Sequence, residues 1–329
     1  MKKEEVLAAI ANVADVQPRV IDSATPRVTF IGEGNTQLAI KPSSGSRSIP
    51  LSAEGSKNLL HMVGMTDKMR TDLSGGTFQK AASELLAKKG QFTVLTKEGV
   101  GVDFLGGKHF QTVDPERALR TMEQVGIQDF HRVYTQERAV VVQALGDRVE
   151  PVVKGDRVQA GASVTFSPIG TIAPLVQSFS VVLACTNGMT MQEVEESFTF
   201  TGGDGGSRDP NGFWEWFRKE LRAAYGSIDV QTRHFREMRE HRIAPKDRAG
   251  ALEGVIRQSH LPEGLAEAVR ARALEQPPRN AWDLMNLVTW GTTHATDDYQ
   301  VVRRSHKAMS SFAHNVAVHK VCPICRSSN

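Results

Sequence analysis

The stretch Ser178-Phe-Ser-Val-Val-Leu-Ala-Cys-Thr-Asn-Gly-Met189 gathers β-branched and aromatic residues and then reaches Asn187-Gly188. Such a run is short for a helix and suits a pleated, half-buried surface, so it reads as a strand. Asn-Gly is the dipeptide that best tolerates the positive φ values of a tight hairpin turn, and a strand over 194–201 is expected to return alongside. Upstream, Phe92-Thr-Val-Leu95, the segment 138–145 with three consecutive valines, and Ser163-Val-Thr-Phe166 have the same character. An antiparallel sheet is therefore expected across 91–200. One helix interrupts it over 114–125, where Asp114-Pro-Glu116 joins an N-cap to a proline at the first helical position.

Working outward toward the N-terminus, Val6, Leu7, Ile10 and Val13 fall at helical spacing. Arg27-Val-Thr-Phe-Ile31 reads as a strand, and Lys41-Pro-Ser-Ser-Gly-Ser-Arg-Ser48 offers nothing apolar to bury and reads as a loop. Ser52 suits the N-cap of a helix bearing Leu59, Leu60, Met62 and Val63, and a further helix is expected over 78–89. Toward the C-terminus, Gly202-Gly-Asp-Gly-Gly-Ser207 is a flexible linker, after which helical periodicity takes over. Trp214, Phe217, Leu221 and Ala224 share one helix face; helices are also expected over 230–242 and 262–274. Asn280 with Asp283 caps a helix carrying Trp282, Met285 and Val288, and Tyr299, Val302, His306, Met309, Phe312 and Val316 form one apolar stripe. The fold class is α+β: a central antiparallel sheet, small N-terminal helices and a helical C-terminal third. The expected division is an N-terminal segment and loop over 1–50, an α+β sheet domain over 51–201, and a helical region over 208–329 able to pack on the same sheet.

With 329 residues and 40% hydrophobic content, the chain can bury a sizeable core. Three cysteines, two of them at Cys322 and Cys325, exclude a secreted disulfide framework and point to a reducing cytoplasm. Met1-Lys-Lys-Glu-Glu5 leads into an amphipathic stretch, not a signal-peptide core, and no apolar run approaches the roughly 20 residues a bilayer requires, so no membrane association is expected. Net charge is +3, but residues 1–200 carry 21 basic and 22 acidic side chains whereas 201–329 carry 19 and 15. A polyanion-binding face, if the chain has one, belongs in the second part.

Val153-Lys-Gly-Asp-Arg-Val-Gln-Ala-Gly-Ala-Ser163, followed by Val181-Val-Leu-Ala-Cys-Thr-Asn-Gly-Met189, resembles the phage- and plasmid-encoded family known as domain of unknown function 932. Ser48-Ile-Pro-Leu-Ser52 is similar to that family's N-terminal block, and Asn280-Ala-Trp-Asp-Leu-Met-Asn-Leu-Val-Thr289 to its C-terminal helix. The resemblance spans residues 48–310 and implies a protein of mobile elements, in a setting of DNA processing, single-strand binding and evasion of host defence. The neutral Phe198-Thr-Phe-Thr201 departs from the basic or histidine-bearing strand of many relatives.

The candidate nucleic-acid-binding residues are Arg233, Arg236, Arg239 and Arg242, recurring every third residue, with Lys246 close by. They form either a phosphate-tracking surface or a solvated helix balanced by Glu237 and Glu240. Trp216, beside Arg218 and Lys219, lies off the apolar stripe of its helix and is a candidate stacking platform for unpaired bases. The tail His314-Asn-Val-Ala-Val-His319-Lys-Val-Cys322-Pro-Ile-Cys325 is either a structural Zn²⁺ site or a reduced tail. Positions 314 and 319 lie about 140° apart on a helix, so both histidines bind one ion only if the helix ends between them. No dinucleotide fingerprint, phosphate loop, nucleophile elbow or zinc-protease motif occurs. The expected function is single-stranded DNA binding or annealing by a homo-oligomeric, non-enzymatic protein in recombination or replication. The alternative is a protein-interaction module, such as a host-defence inhibitor or a partner of replication proteins.

Overall fold

The computed structural model describes residues 1–13, 17–21, 26–31, 37–42, 46–89, 92–97, 101–107, 113–136, 139–153, 156–168, 172, 174–183, 187–191, 198–199 and 210–319. Helix α1 (Lys3–Ala11) is followed by β1 (Gln17–Ile21), β2 (Arg27–Ile31), β3 (Gln37–Lys41) and β4 (Ile49–Pro50). Helices α2 (Ala53–Val63), α3 (Asp67–Asp72) and α4 (Gly75–Lys88) then lead to β5 (Phe92–Lys97) and β6 (Gly101–Gly107). Ser52 starts α2 by accepting a hydrogen bond from the Gly55 amide at 2.9 Å, and Gly64 ends it in the left-handed conformation at φ 71°. Two three-stranded sheets, β2-β3-β4 and β1-β5-β6, result. Val28, Leu38, Ile40, Leu59, Phe78, Leu86, Phe92, Val94 and Val102 share one buried core between these sheets and α2 and α4. Because that core joins residues on both sides of position 50, the structure does not part there.

Helix α5 (Pro115–Gln124), capped by Asp114, precedes β7 (Ile127–Thr135), β8 (Val140–Val153), β9 (Asp156–Phe166), β10 (Leu175–Val182), β11 (Asn187–Met191) and β12 (Phe198–Thr199). These strands form an antiparallel sheet in the order β11-β10-β9-β8-β7, with β12 also pairing with β10. The central antiparallel sheet is thus present, but β5 and β6 belong to a separate sheet with β1, because α5 carries the chain away before β7 begins. Asn187-Gly188 is not the hairpin turn: Val182 pairs with Asn187 and Val181 with Gly188, and the connection is 183–186. This register keeps Val182 in the core, and a one-residue slip would reverse every side chain of β10. Of the return strand expected over 194–201, Phe198 and Thr199 are the described residues, and they pair with β10; β11 also pairs with β10, over Asn187–Met191. The linker over 202–207 and Cys185 lie outside the described residues.

Helices α6 (Pro210–Gly226), α7 (Ile228–Glu240), α8 (Arg248–Gln258), α9 (Glu263–Glu275), α10 (Ala281–His294) and α11 (Tyr299–His319) make up the C-terminal third, with one 3₁₀ turn at Pro245–Asp247. Val140, Val142, Ala144, Ala162, Val164 and Phe166 pack against α1, α5 and α6 through Val6, Leu119, Phe213, Trp214 and Phe217. At the end of the sheet where β8 turns into β9, Val152, Val158, Ala160 and Val182 join Phe235, Met238, Trp282, Met285, Val288, Met309 and Phe312. Helix α7 ends over this hairpin, where Arg236 donates to the carbonyl oxygens of Pro151 and Val152. Tyr225 closes α6 onto the sheet, its hydroxyl donating to Asp147 at 2.8 Å and accepting from the Arg148 amide at 2.9 Å. Among the described residues, no helix is long and apolar enough to cross a membrane.

Candidate functional site

Where α7 ends, the chain is stitched to the segment that opens α10. The Ile243 amide donates to the Arg279 carbonyl at 3.0 Å, the Ala281 amide donates to the His241 carbonyl at 3.1 Å, and Arg242 bridges Asn280. Asn280 caps α10 by accepting from the Asp283 amide at 2.8 Å, while the Asp283 carboxylate accepts from the Arg279 amide at 2.8 Å. This reciprocal cap is the N-terminal arrangement that the sequence predicts. Beside it lies a groove of about 460 Å³ lined by β9, α7, α9 and α10.

Four arginines (Arg239, Arg242, Arg272 and Arg279) and three carboxylates (Asp156, Glu275 and Asp283) line that groove. Their pairing decides which cations are available to a ligand. Arg239 lies 2.8 Å from Asp156 and 3.8 Å from Asp283, and Arg272 lies 3.0 Å from Glu275. Arg272 also sits over the Trp290 ring, 5.4 Å from its centroid, as a cation–π contact. Arg242 and Arg279 are exposed and have no carboxylate within 4.0 Å among the described residues. Arg279 immediately precedes the N-cap of α10, so its charge adds to the positive end of the helix dipole. The rim of the groove is therefore a place where an anionic group is attracted and left unpaired cations can meet it.

The arginines named from the sequence do not act as one surface. Arg236 is used on backbone carbonyls of β8, and Arg239 is an internal tie between β9 and α10. Arg233 and Lys246 are exposed but do not line the groove. Of the four, Arg242 is the one that lines the groove with no carboxylate within 4.0 Å among the described residues. A three-residue step rotates around a helix, and the underlying sheet claims whichever side chains face it.

Trp216 is half-buried on α6, with its ring 5.8 Å from that of Phe213 and 6.4 Å from that of Phe217. It packs by part of its ring against the core containing Phe213 and Phe217. Lys219 is exposed and lies 3.9 Å from Glu220, whose carboxyl is pushed up by burial. Arg218 and Lys219 stand with Trp216 on α6, apart from the groove. Two aromatic residues line the groove: Trp282, which is buried, and Trp290, half-buried on α10 with Arg272 over its ring.

Helix α11 continues through both His314 and His319, which leaves the two positions about 140° apart around its axis. The condition for their joint use as ligands is therefore not met. His314 instead faces His234 of α7, with ring centroids 6.0 Å apart. Cys322 and Cys325 lie outside the described residues, and among the described residues no group of three or more His, Cys, Asp or Glu side chains is placed to hold a metal.

Arg272, Arg279, Trp290, Asp156 and Asp283 escaped the sequence reading as site residues. Arg279 carried a signal, since a cation beside a helix N-cap opposes the dipole and calls for a reason. The others come together only through tertiary contacts between β9, α9 and α10. No protein-family model matches the chain, no curated protein matches it, and no solved structure matches it.

Proposed function

We propose that this chain binds single-stranded nucleic acid, with DNA of a phage or plasmid undergoing recombination or replication as its substrate. The observation that carries this reading is the pair of guanidinium groups, Arg242 and Arg279, with no carboxylate partner among the described residues, on the rim of a groove that also holds Trp290. Guanidinium forks suit phosphate oxygens, and an indole face suits an unstacked base. Support also comes from the resemblance: Asp156, Val182, Asn280, Trp282 and Asp283, all groove residues, belong to three of the four sequence blocks that carry it. At 460 Å³ the groove falls in the range of roughly 300–1,000 Å³ typical of small-ligand sites. It thus takes a nucleotide or two, and continuous coverage of a strand calls for adjacent copies in a homo-oligomer.

Fluorescence anisotropy of labelled single- and double-stranded oligonucleotides tests the reading. The single strand is expected to bind more tightly, and the Arg242→Glu/Arg279→Glu variant to bind it roughly 10- to 100-fold more weakly. Absence of binding at low salt, or an unchanged affinity in the variant, would remove the proposal. A protein partner is the second reading, favoured by Leu274, which is 84% exposed on α9 next to Glu275 of the groove. A Leu274→Ser variant that loses a partner while keeping oligonucleotide affinity would support that alternative.

A further inference from the structure

Helix α11 runs from Tyr299 to His319 without a single Asp or Glu. Val302, Met309, Phe312 and Val316 bury one side of it, which leaves Gln300, Arg303, Arg304 and Lys307 exposed on the other. The three cations fall at spacings of three and four, so they share one face and repel one another. Among the described residues none of them has a carboxylate within 4.0 Å. By contrast, Arg270 on α9 is answered by Glu253 at 2.8 Å and Glu263 at 2.6 Å, and Arg272 by Glu275 at 3.0 Å.

The cationic face continues onto α8. Ser305 donates to the Ser259 carbonyl oxygen at 3.1 Å, which seats the end of α8, with its exposed Arg257, against α11. Carboxylates of this region are engaged elsewhere: Glu253 and Glu263 hold Arg270, Asp297 holds Arg132, and Asp298 accepts from the Gln300 and Val301 amides. None of the four cations lines the groove. The Tyr299 and Phe312 rings of α11 are buried, so the face presents positive charge without a stacking platform. Charge without stacking suits a nucleic acid whose bases are already paired and whose phosphates alone are offered.

We propose that Arg303, Arg304 and Lys307 of α11, with Arg257 of α8, hold the phosphate backbone of duplex nucleic acid. This rests on the reading of the chain as a nucleic-acid-binding protein, and adds the duplex as a second form of its substrate. Arg303 and Lys307 stand about 6 Å apart along the helix axis, and a duplex carries one charge per roughly 1.7 Å of its own axis. Phosphates are therefore dense enough to meet each cation. Such contacts position a duplex without reading its sequence.

The test titrates the full chain against a labelled blunt duplex and, separately, a labelled single strand, by fluorescence anisotropy across salt. Wild type is expected to bind the duplex at low salt, with a slope of log K against log salt concentration of about −2.7 or steeper. The Arg303→Gln/Arg304→Gln/Lys307→Gln variant should bind it roughly 10- to 100-fold more weakly and lose about 2.7 of that slope. Its single-strand affinity should stay within about threefold of wild type, and its melting temperature should be unchanged because all three positions are exposed. Loss of single-strand binding alone would count against the groove and leave the α11 face standing. No duplex binding by wild type, or a duplex affinity unchanged in the triple variant, would overturn the assignment. So would a wild type that ignores the duplex but binds phosphatidylserine vesicles through these three residues, which would make the face a membrane contact.

Discussion

Replacing Arg239 by methionine keeps the aliphatic stem and removes only the guanidinium group, isolating the charge that ties β9 to α10. The group lies 2.8 Å from Asp156 and 3.8 Å from Asp283, and the three side chains are 36%, 22% and 29% exposed, respectively. A charge-assisted hydrogen bond contributes about 1.5–3 kcal/mol when shielded, while an exposed ion pair contributes about 0–1 kcal/mol. Partial exposure puts this tie between them, at about 1.5 kcal/mol. For a chain of 329 residues that corresponds to a fall of about 2 °C in melting temperature. Thermal unfolding followed by circular dichroism measures it, beside Arg242→Met, whose guanidinium has no carboxylate partner among the described residues and which should melt within about 1 °C of wild type. If Arg239→Met melts like wild type while Arg242→Met is destabilised, the division between structural and available arginines is wrong.

Three other substitutions probe the framework. His306 is fully buried, accepts or donates with Thr292 at 3.1 Å, and is pushed down to about 4 by burial. Its folded pKa lies below the unfolded value of about 6.5, so its neutral form supports stability above that value, and on the order of 3 kcal/mol is lost as pH falls from about 6.5 to about 4; His306→Gln should flatten melting temperature against pH in this window. A Cβ on Gly161 would lie 2.0 Å from the Ala144 carbonyl oxygen, so Gly161→Ala must push β8 from β9 and should cost about 3 kcal/mol in urea unfolding. Tyr225→Phe removes the hydroxyl that joins Asp147 to the Arg148 amide, and a loss of about 1–2 kcal/mol is expected in the same assay.

Much of the fold was legible because its signals are local. The Ser52, Asp114 and Asn280 caps all accept the hydrogen bonds their sequence positions imply. The stripe from Tyr299 to Val316 on α11 is buried at every position named for it. Helix α8 was missed because Gly250 and Gly254 sit inside a segment whose stability comes from packing Leu252, Val255 and Ile256. Strands β1 and β3 were missed because they are short, and their partners are remote in sequence for β1. The site was harder to read. A row of arginines states how much charge a helix carries, but the carbonyls of Pro151 and Val152 and the carboxylate of Asp156 decide which of those charges remain available.

The salt dependence of single-stranded oligonucleotide binding tests the central claim most directly. Each neutralised phosphate contributes about −0.7 to the slope of log K against log salt concentration for a single strand. Contact through Arg242 and Arg279 therefore predicts a slope of about −1.4 or steeper, and the Arg242→Glu/Arg279→Glu variant should lose about 1.4 of it. A wild-type affinity indifferent to salt, or a slope that survives in the double variant, would contradict the groove as the place where phosphate is held.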